Sequence, residues 1–167
     1  MVGMGEIAGV KVVAMSQLQK PPKLPYPDSF PNLNRLGWLQ TSQPAFYNCI
    51  AFAAGDTKRW WWPGNHPPNT FYWPVAGAVE PSLANFYAAF ATIGYLQCDN
   101  GVHVPGFEKV AFYMANGLVT HAAIQQLDGT WKSKLGKAED ISHTLAGLEG
   151  PSYGVVAAFV SRPIPVV

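Results

Sequence analysis

Cys49 is the residue whose type and sequence neighbours most favour chemistry in this chain. A thiol becomes a strong nucleophile only as a thiolate, and the unpaired amides at a helix N-terminus, together with a nearby imidazole, lower its pKa. Asn48, a good helix cap, precedes Cys49, and the cysteine opens the alanine-rich run CIAFAAGD. The sequence therefore predicts a helix that begins at or beside Cys49, and we expect Gly55 to end it early.

His121 is the candidate base for this thiol, because it lies on the middle strand of a predicted antiparallel meander. The strands are joined by Asn116-Gly117 and Asp128-Gly129, two dipeptides that favour two-residue hairpin turns. The three strands are predicted over residues 109–114, 118–127 and 130–135. A central strand packed against the Cys49 helix would direct one of its side chains towards the start of that helix.

Two further polar side chains complete the proposed chemistry. A base must be held in one tautomer by a third group, and Ser133, on the strand that returns beside His121, is the small polar candidate. Lys134 or a backbone carbonyl remains an alternative, since a one-residue slip in register would turn Ser133 away. The developing oxyanion also needs a donor besides the backbone amide of the cysteine. Gln43, six residues before Cys49, is the candidate for that donor.

Two segments of the chain resemble the papain family. In Gln43-Pro-Ala-Phe-Tyr-Asn-Cys49-Ile-Ala-Phe-Ala, the glutamine stands where that family has an oxyanion-hole Gln, six residues before the nucleophile. The segment His121-Ala-Ala-Ile, followed after a hairpin by Trp131-Lys-Ser-Lys-Leu-Gly136, is similar to the histidine strand and the next strand of that family. The family's orienting Asn, and the third polar residue of the compact NlpC-like cell-wall hydrolases, would fall at or near Ser133.

The same alignment shows where the chain departs from the papain pattern. Ile50 replaces a Trp, Tyr47-Asn48 replaces a pair of small residues before the cysteine, and Ser133 replaces the Asn. The chain is also much shorter than papain, so the subsites of the larger enzymes are not carried over.

This resemblance implies an α+β, papain-like fold, with N-terminal helices packed on a C-terminal antiparallel sheet. It implies a cysteine hydrolase, a peptidase or amidase, that works through a Cys–His dyad or triad and an acyl-enzyme. By fold analogy, the substrate is a bacterial peptide or peptidoglycan amide. A deamidase or acyltransferase of the same fold, and a catalytically inactive binding module, remain open alternatives.

Residues 48–162 also resemble a family of uncharacterised bacterial proteins. The motifs that carry this resemblance are Asn-Cys-Ile-Ala, Trp-Trp-Trp-Pro, Gly-Tyr, Thr-His-Ala-Ala, Ser-Lys-Leu-Gly and Tyr-Gly. They indicate family membership and carry almost no information on the substrate.

Composition and charge exclude several classes of function. A formal net charge of +1 provides no basic field for a nucleic-acid backbone. No stretch has the roughly 18 uninterrupted apolar residues of a membrane span, and the N-terminus lacks the basic leader of a secretory signal. We therefore expect a soluble protein, cytoplasmic or exported without a cleavable signal, that binds neither nucleic acid nor membrane. No metal-ligand spacing or phosphate-binding motif is present, so no metal and no cofactor are expected.

The 167 residues fit a single papain-like domain over residues 1–167. Residues 1–45 are predicted to be an extended arm, because prolines crowd its second half. The run PSLANFYAAFATIGY, from Pro81, predicts an amphipathic helix. Asp140 is expected to cap a short helix that presents Ile141, Leu145 and Leu148 on one side, and residues 153–160 are expected to return as a strand.

Other candidate residues have more ordinary explanations. His143 is a second histidine of interest, with helix capping or packing as its alternative, and His66 and His103 rank below it. The run of tryptophans at residues 60–62 invites sugar stacking, but structural anchoring of a long loop is the simpler interpretation. A disulfide between Cys49 and Cys98 would block the proposed chemistry and remains open.

Overall fold

A seven-stranded antiparallel sheet forms the centre of this computed structural model, which describes residues 6–7, 10–11, 28–42, 46–64, 66–67, 70–135 and 139–166. Its strands are β3 (Trp38–Ser42), β4 (Leu96–Cys98), β5 (Phe107–Ala115), β6 (Leu118–Gln125), β7 (Trp131–Lys134), β8 (Asp140–His143) and β9 (Val155–Pro163). They lie in the order β3-β8-β7-β6-β5-β9-β4. Two further strands, β1 (Glu6–Ile7) and β2 (Val10–Lys11), pair with each other.

The meander β5-β6-β7 confirms the strands predicted around His121. Asn116 and Gly117 have φ values of 51° and 77°, the left-handed conformation that a tight hairpin turn requires. At the next turn, the carboxylate of Asp128 accepts a hydrogen bond of 2.9 Å from the backbone amide of Thr130. Local turn chemistry therefore sets where these strands begin and end.

Three short helices accompany the sheet: α1 (Pro31–Leu36), α2 (Cys49–Ala53) and α3 (Leu83–Ala91). The predicted helix start at Cys49 is confirmed, with Asn48 as its cap, and so is the amphipathic helix, which Ser82 caps. Gly55, with a φ of +81°, follows Ala54, the C-cap of α2. None of the helices described is long and apolar enough to cross a membrane.

The buried residues form two cores. The first core packs α2 and α3 against the sheet and includes Cys49, Ile50, Phe86, Phe90, Phe112, Ala122 and Val160. The second core packs α1 and a 3₁₀ turn over Ala146–Leu148 with the sheet and includes Leu33, Ala111, Tyr113, Ala123, Trp131, Ile141 and Leu148. Because successive strand residues point to opposite faces, Phe112 and Ala122 belong to one core while Tyr113 and Ala123 belong to the other.

The expected papain-like α+β arrangement, with N-terminal helices packed on a C-terminal antiparallel sheet, is wrong. The described residues are mostly one antiparallel sheet of seven strands, and its helices have only 6, 5 and 9 residues. The predicted helix at Asp140 is instead strand β8, whose four residues are all buried. A strand buried on both faces lacks the apolar–polar alternation that distinguishes a strand from a helix.

Part of the predicted N-terminal arm belongs to this sheet. Residues 38–42 form the edge strand β3 and pair with β8, and Pro31–Leu36 is helical. Proline is tolerated there because Pro31 occupies the first helical position, where no intrahelical amide bond is lost. The single-domain prediction for residues 1–167 is not tested by these elements and stays a prediction.

Candidate functional site

Cys49 is the first residue of α2 and is only 6% exposed. The preceding Asn48 holds this position firmly, because its side-chain oxygen accepts hydrogen bonds from the amides of Ala51 at 3.1 Å and Trp61 at 3.0 Å. Its side-chain nitrogen donates to the carbonyl of Trp61 at 2.7 Å. Asn48 therefore caps the helix. It also connects the helix to the loop that contains residues 60–62, which is called the tryptophan-rich loop below.

The surroundings of Cys49 have opposing effects on the pKa of its thiol. Burial raises its pKa to about 11, while hydrogen bonds from the backbone of Ala122, of Ile50 and of Cys49 itself lower it. The charge of Lys134 lowers it further. The burial effect is the larger one, so the thiol is protonated at neutral pH in this state.

The sulfur of Cys49 lies near Ala122, in the part of β6 that does not pair with β7. Among the described residues, β6 pairs with β7 only at Ile124 and Gln125, so the edge at Ala122 has no strand partner on that side. The backbone of Ala122 interacts with the Cys49 sulfur and lowers the pKa of the thiol. The sulfur thus lies beside the backbone of the residue that follows His121.

Lys134 provides a buried cation near this thiol. Its ammonium group is fully buried, 3.9 Å from a carboxylate oxygen of Asp140 and 4.9 Å from the ring centre of Tyr47. The hydroxyl of Tyr47 donates to the other oxygen of Asp140 at 2.9 Å. Burial lowers the pKa of Lys134, and the charges of Asp140, Glu139 and Cys49 oppose that change.

His121 is fully buried, and neither ring nitrogen has a hydrogen-bond partner among the residues that the structure describes. Its ring stacks on Tyr153 with centroids 4.0 Å apart and meets the edge of Tyr113 at 5.3 Å. Burial lowers its pKa well below the ordinary value, and His143 adds to this effect. An unpartnered buried imidazole is costly, because the nitrogens lose their water without compensation.

The side chains of Cys49 and His121 lie on different faces of the sheet. Ala122 packs with Cys49 in the first core, whereas His121 lies against the tyrosines of the second core. No hydrogen bond joins the imidazole to the thiol. Burial raises the pKa of Tyr153, the ring that stacks on His121, and the charge of Cys49 adds to this effect.

Ser133 does not orient His121, contrary to its predicted role. Its hydroxyl lies 2.7 Å from Nε2 of His143, while Nδ1 of the same ring lies 2.7 Å from the carbonyl oxygen of Thr144. A carbonyl only accepts, so Nδ1 carries the proton and the serine hydroxyl donates to Nε2. Burial lowers the pKa of His143 to about 4, although the bond to Thr144 opposes this effect. His143 is therefore a neutral, fully hydrogen-bonded histidine.

The remaining sequence candidates fall outside this cluster or outside the description. Gln43 lies outside the described residues, so its predicted oxyanion role stays a prediction. Both cysteines are free, and the alternative disulfide between Cys49 and Cys98 is not formed. His66 lies 3.3 Å from the carbonyl of Pro63, in the tryptophan-rich loop. In the part of the chain that is described, no three His, Cys, Asp or Glu side chains are grouped as metal ligands.

Sequence reasoning missed the part that Asp140 and Tyr47 have in this site. The sequence suggests Lys134 only as a substitute for Ser133, and Asp140 only as a helix cap. The sequence contained no signal for this pair, because residues 140–143 were predicted as a helix and not as the strand that pairs with β7. In the register of these two strands, Lys134 lies opposite Asp140.

The chain has a central antiparallel sheet and buried thiol, lysine, carboxylate and histidine side chains. Residues 38–161 match the family described as Domain of unknown function (DUF7689), which covers most of the chain. The chain belongs to this family. No curated protein and no solved structure matches it.

Proposed function

We propose that this domain is a cysteine hydrolase in which Cys49 is the nucleophile and His121 its base. The observation that carries the proposal is the position of Cys49 at the start of α2, where its sulfur interacts with the backbone of Ala122, the residue that follows His121. The imidazole of His121 is buried and, among the described residues, neither of its nitrogens has a hydrogen-bond partner. A protonated thiol and a neutral imidazole are the two species that a proton transfer from sulfur to nitrogen requires.

The reaction follows from this pair. The imidazole of His121 first turns towards Cys49, because the two side chains lie on different faces of the sheet. The Cys49 thiol then gives its proton to a nitrogen of His121 as the sulfur attacks the carbonyl carbon of an amide. The C–N bond then breaks, the imidazolium returns the proton to the leaving amine, and a thioester remains on Cys49. Water, deprotonated by His121, hydrolyses the thioester and restores the thiol. Lys134 favours the thiolate during these steps, because it lowers the pKa of Cys49.

The fold is not the papain-like one, so the substrates that the papain resemblance implies, peptide and peptidoglycan amides, are not part of this proposal. Amide or ester hydrolysis is the reaction that the site itself supports. Deamidation and acyl transfer share the thioester and are separated from hydrolysis by mass spectrometry of the products.

Acylation by p-nitrophenyl acetate tests the nucleophile directly. The parent is Cys98→Ser, because Cys98 is more exposed than Cys49 and would react first. We expect intact-mass analysis to find the acetyl group on Cys49, and Cys49→Ala to abolish it. In the parent, His121→Gln should slow acylation at pH 7.5 by about 100-fold, the usual contribution of a general base. The matched control is His66→Gln, at an exposed histidine.

The pH dependence distinguishes a base from a structural histidine. At pH 10 hydroxide replaces the imidazole, so the rates of His121→Gln and of the parent should converge. Equal pH profiles for the two proteins, or no acetyl group on Cys49 at any pH, would contradict the hydrolase proposal.

The second candidate is a binding domain without turnover, and the state of the thiol favours it. Cys49 is almost fully buried and has a raised pKa, as is typical of a structural cysteine. If this candidate holds, the parent shows no acetyl group on Cys49 after treatment with p-nitrophenyl acetate, and Cys49→Ala retains the binding properties of the parent.

A further inference from the structure

A groove beside the tryptophan-rich loop lies outside the Cys49 site. It encloses about 520 Å³, a volume in the range of small-ligand sites. Its lining residues are Phe46, Lys58, Arg59, Trp60, Thr70, Phe71 and Tyr72. The groove therefore combines aromatic rings with two cationic side chains.

Backbone hydrogen bonds hold the walls of this groove in place. The amide of Tyr72 donates to the carbonyl of Trp60 at 2.8 Å, and the amide of Trp62 donates to the carbonyl of Tyr72 at 3.0 Å. Asn48 fixes Trp61 from the other side, as described above. A site on such a loop is pre-organised, because its backbone groups are already paired.

Arg59 is the most constrained cation of the groove. Its Nε donates to a carboxylate oxygen of Asp56 at 2.8 Å, and its guanidinium carbon lies 3.6 Å from the ring centre of Tyr72. Burial raises the pKa of Asp56, but hydrogen bonds from Trp61, from the backbone of Lys58 and from Arg59 hold it below the ordinary value. Arg59 is thus held at one end by a charged partner.

The other end of Arg59 is available to a ligand. Its side chain is 51% exposed, and among the described residues its terminal nitrogens have no hydrogen-bond partner. A guanidinium that is held at Nε and stacked on a ring presents its terminal nitrogens as a planar fork, which matches a carboxylate. Lys58, the next lining residue, adds a second positive charge, and Asp56 neutralises only one of the two.

Apolar rings flank this pair of cations. Phe46 is 95% exposed, and Phe71 is also exposed, with its ring stacked on Trp60 at a centroid distance of 5.8 Å. A large apolar side chain left in water is unfavourable, and its burial by a ligand contributes to affinity. The exposed rings and the guanidinium group thus favour a ligand that carries both an aromatic group and a carboxylate.

We propose that this groove binds a peptide that carries a carboxylate next to an aromatic side chain. Arg59 and Lys58 hold the carboxylate, and the aromatic side chain packs against Phe46 and Phe71. The carboxylate belongs either to the C-terminus of the peptide or to an acidic side chain. The proposal goes beyond the function proposed above and does not depend on it, because Cys49 does not line the groove.

Isothermal titration calorimetry of the full chain with three small probes tests this site. N-acetyl-phenylalanine presents a terminal carboxylate, N-acetyl-glutamyl-phenylalaninamide presents a side-chain carboxylate, and N-acetyl-phenylalaninamide presents none. We expect at least one of the two carboxylate probes to bind, with the neutral amide at least about tenfold weaker, as for the loss of a charged hydrogen-bond partner. The better probe identifies the source of the carboxylate.

Variants of groove residues test whether the better probe binds in the groove. Arg59→Gln and Phe46→Ala should each weaken the better probe by about tenfold or more, and Lys58→Gln should weaken it less. The matched control is Arg35→Gln, which removes an exposed arginine on α1 whose hydrogen-bond partner is Asn32. Circular dichroism should show unchanged folding, since the side chains of Phe46 and Arg59 are exposed.

Three results would overturn the proposal. The first is equal binding of the carboxylate and amide probes, and the second is no binding of either carboxylate probe. The third is unchanged binding of the better probe by both single variants, Arg59→Gln and Lys58→Gln. Tighter binding of inorganic phosphate than of both carboxylate probes would also overturn it, because the ligand class would then be wrong. None of these outcomes bears on acylation of Cys49, so the two proposals fail independently.

Discussion

Acid should destabilise this protein through its buried histidines. His143 and His121 both have lowered pKa values in the folded state because burial disfavours the imidazolium. Between pH 6.5 and 4, the unfolded chain therefore binds more protons than the folded one, and the free energy of unfolding rises with pH. The contribution of each histidine is fully present above its unfolded pKa of about 6.5 and is lost as the pH falls towards the folded value.

The size of this effect can be worked out for His143. Its pKa falls from 6.5 to about 4, and each tenfold change in proton affinity corresponds to about 1.4 kcal/mol. The expected loss for His143 is therefore roughly 3 kcal/mol at complete titration and roughly 2.5 kcal/mol at pH 4.5. His121 adds a loss of the same sign. A loss of this size is a large fraction of the stability of a typical domain.

Urea unfolding at pH 7.5 and pH 4.5, followed by tryptophan fluorescence, measures the loss. In His143→Gln the amide nitrogen can still donate to Thr144 and the amide oxygen can still accept from Ser133, but the side chain does not titrate. We expect this variant to lose roughly 2–3 kcal/mol less than wild type between the two pH values. His66→Gln is the matched control and should behave as wild type. Equal losses in His143→Gln and wild type would refute the reasoning.

Three more predictions concern the buried cluster and its helix cap. The raised pKa of Cys49 predicts that stability falls as the pH rises from about 9 to about 11, and Cys49→Ala should reduce that loss in alkaline urea titrations. Asn48→Ala should cost roughly 2–3 kcal/mol in urea unfolding, more than the roughly 1 kcal/mol of the simple cap variant Ser82→Ala, because it also breaks the bonds to the loop. Asp140→Ala should cost roughly 3–5 kcal/mol because it leaves the buried Lys134 without its carboxylate, and adding Lys134→Met should restore part of the thermal stability.

Features that depend on a few adjacent residues could be predicted from the sequence. Asn48 and Ser82 start helices where they were expected to, because a side-chain oxygen satisfies an amide within three residues. The turn at Asn116-Gly117 forms because these residues tolerate positive φ. The position of Cys49 at a helix start is a local feature of the same kind.

The histidine partners could not be predicted in this way. Ser133 and His143 meet because β7 pairs with β8, and the sequence contained no signal that identified residues 140–143 as a strand. The predicted contact between Ser133 and His121 assumed a full ladder between β6 and β7, whereas these strands pair only at one end. A side chain's partner in a sheet is set by strand order and register, which are non-local.

The sequence by itself determined the residues able to react, the start of the helix at Cys49 and the strand that carries His121. Only the tertiary structure decided that the thiol is buried and protonated, that Lys134 is the cation acting on it, and that the imidazole leaves the sheet on the other side. The physical reason is that caps and turns depend on bonds between near neighbours. Burial, and the pKa values that follow from it, depend instead on which distant strands and helices pack together.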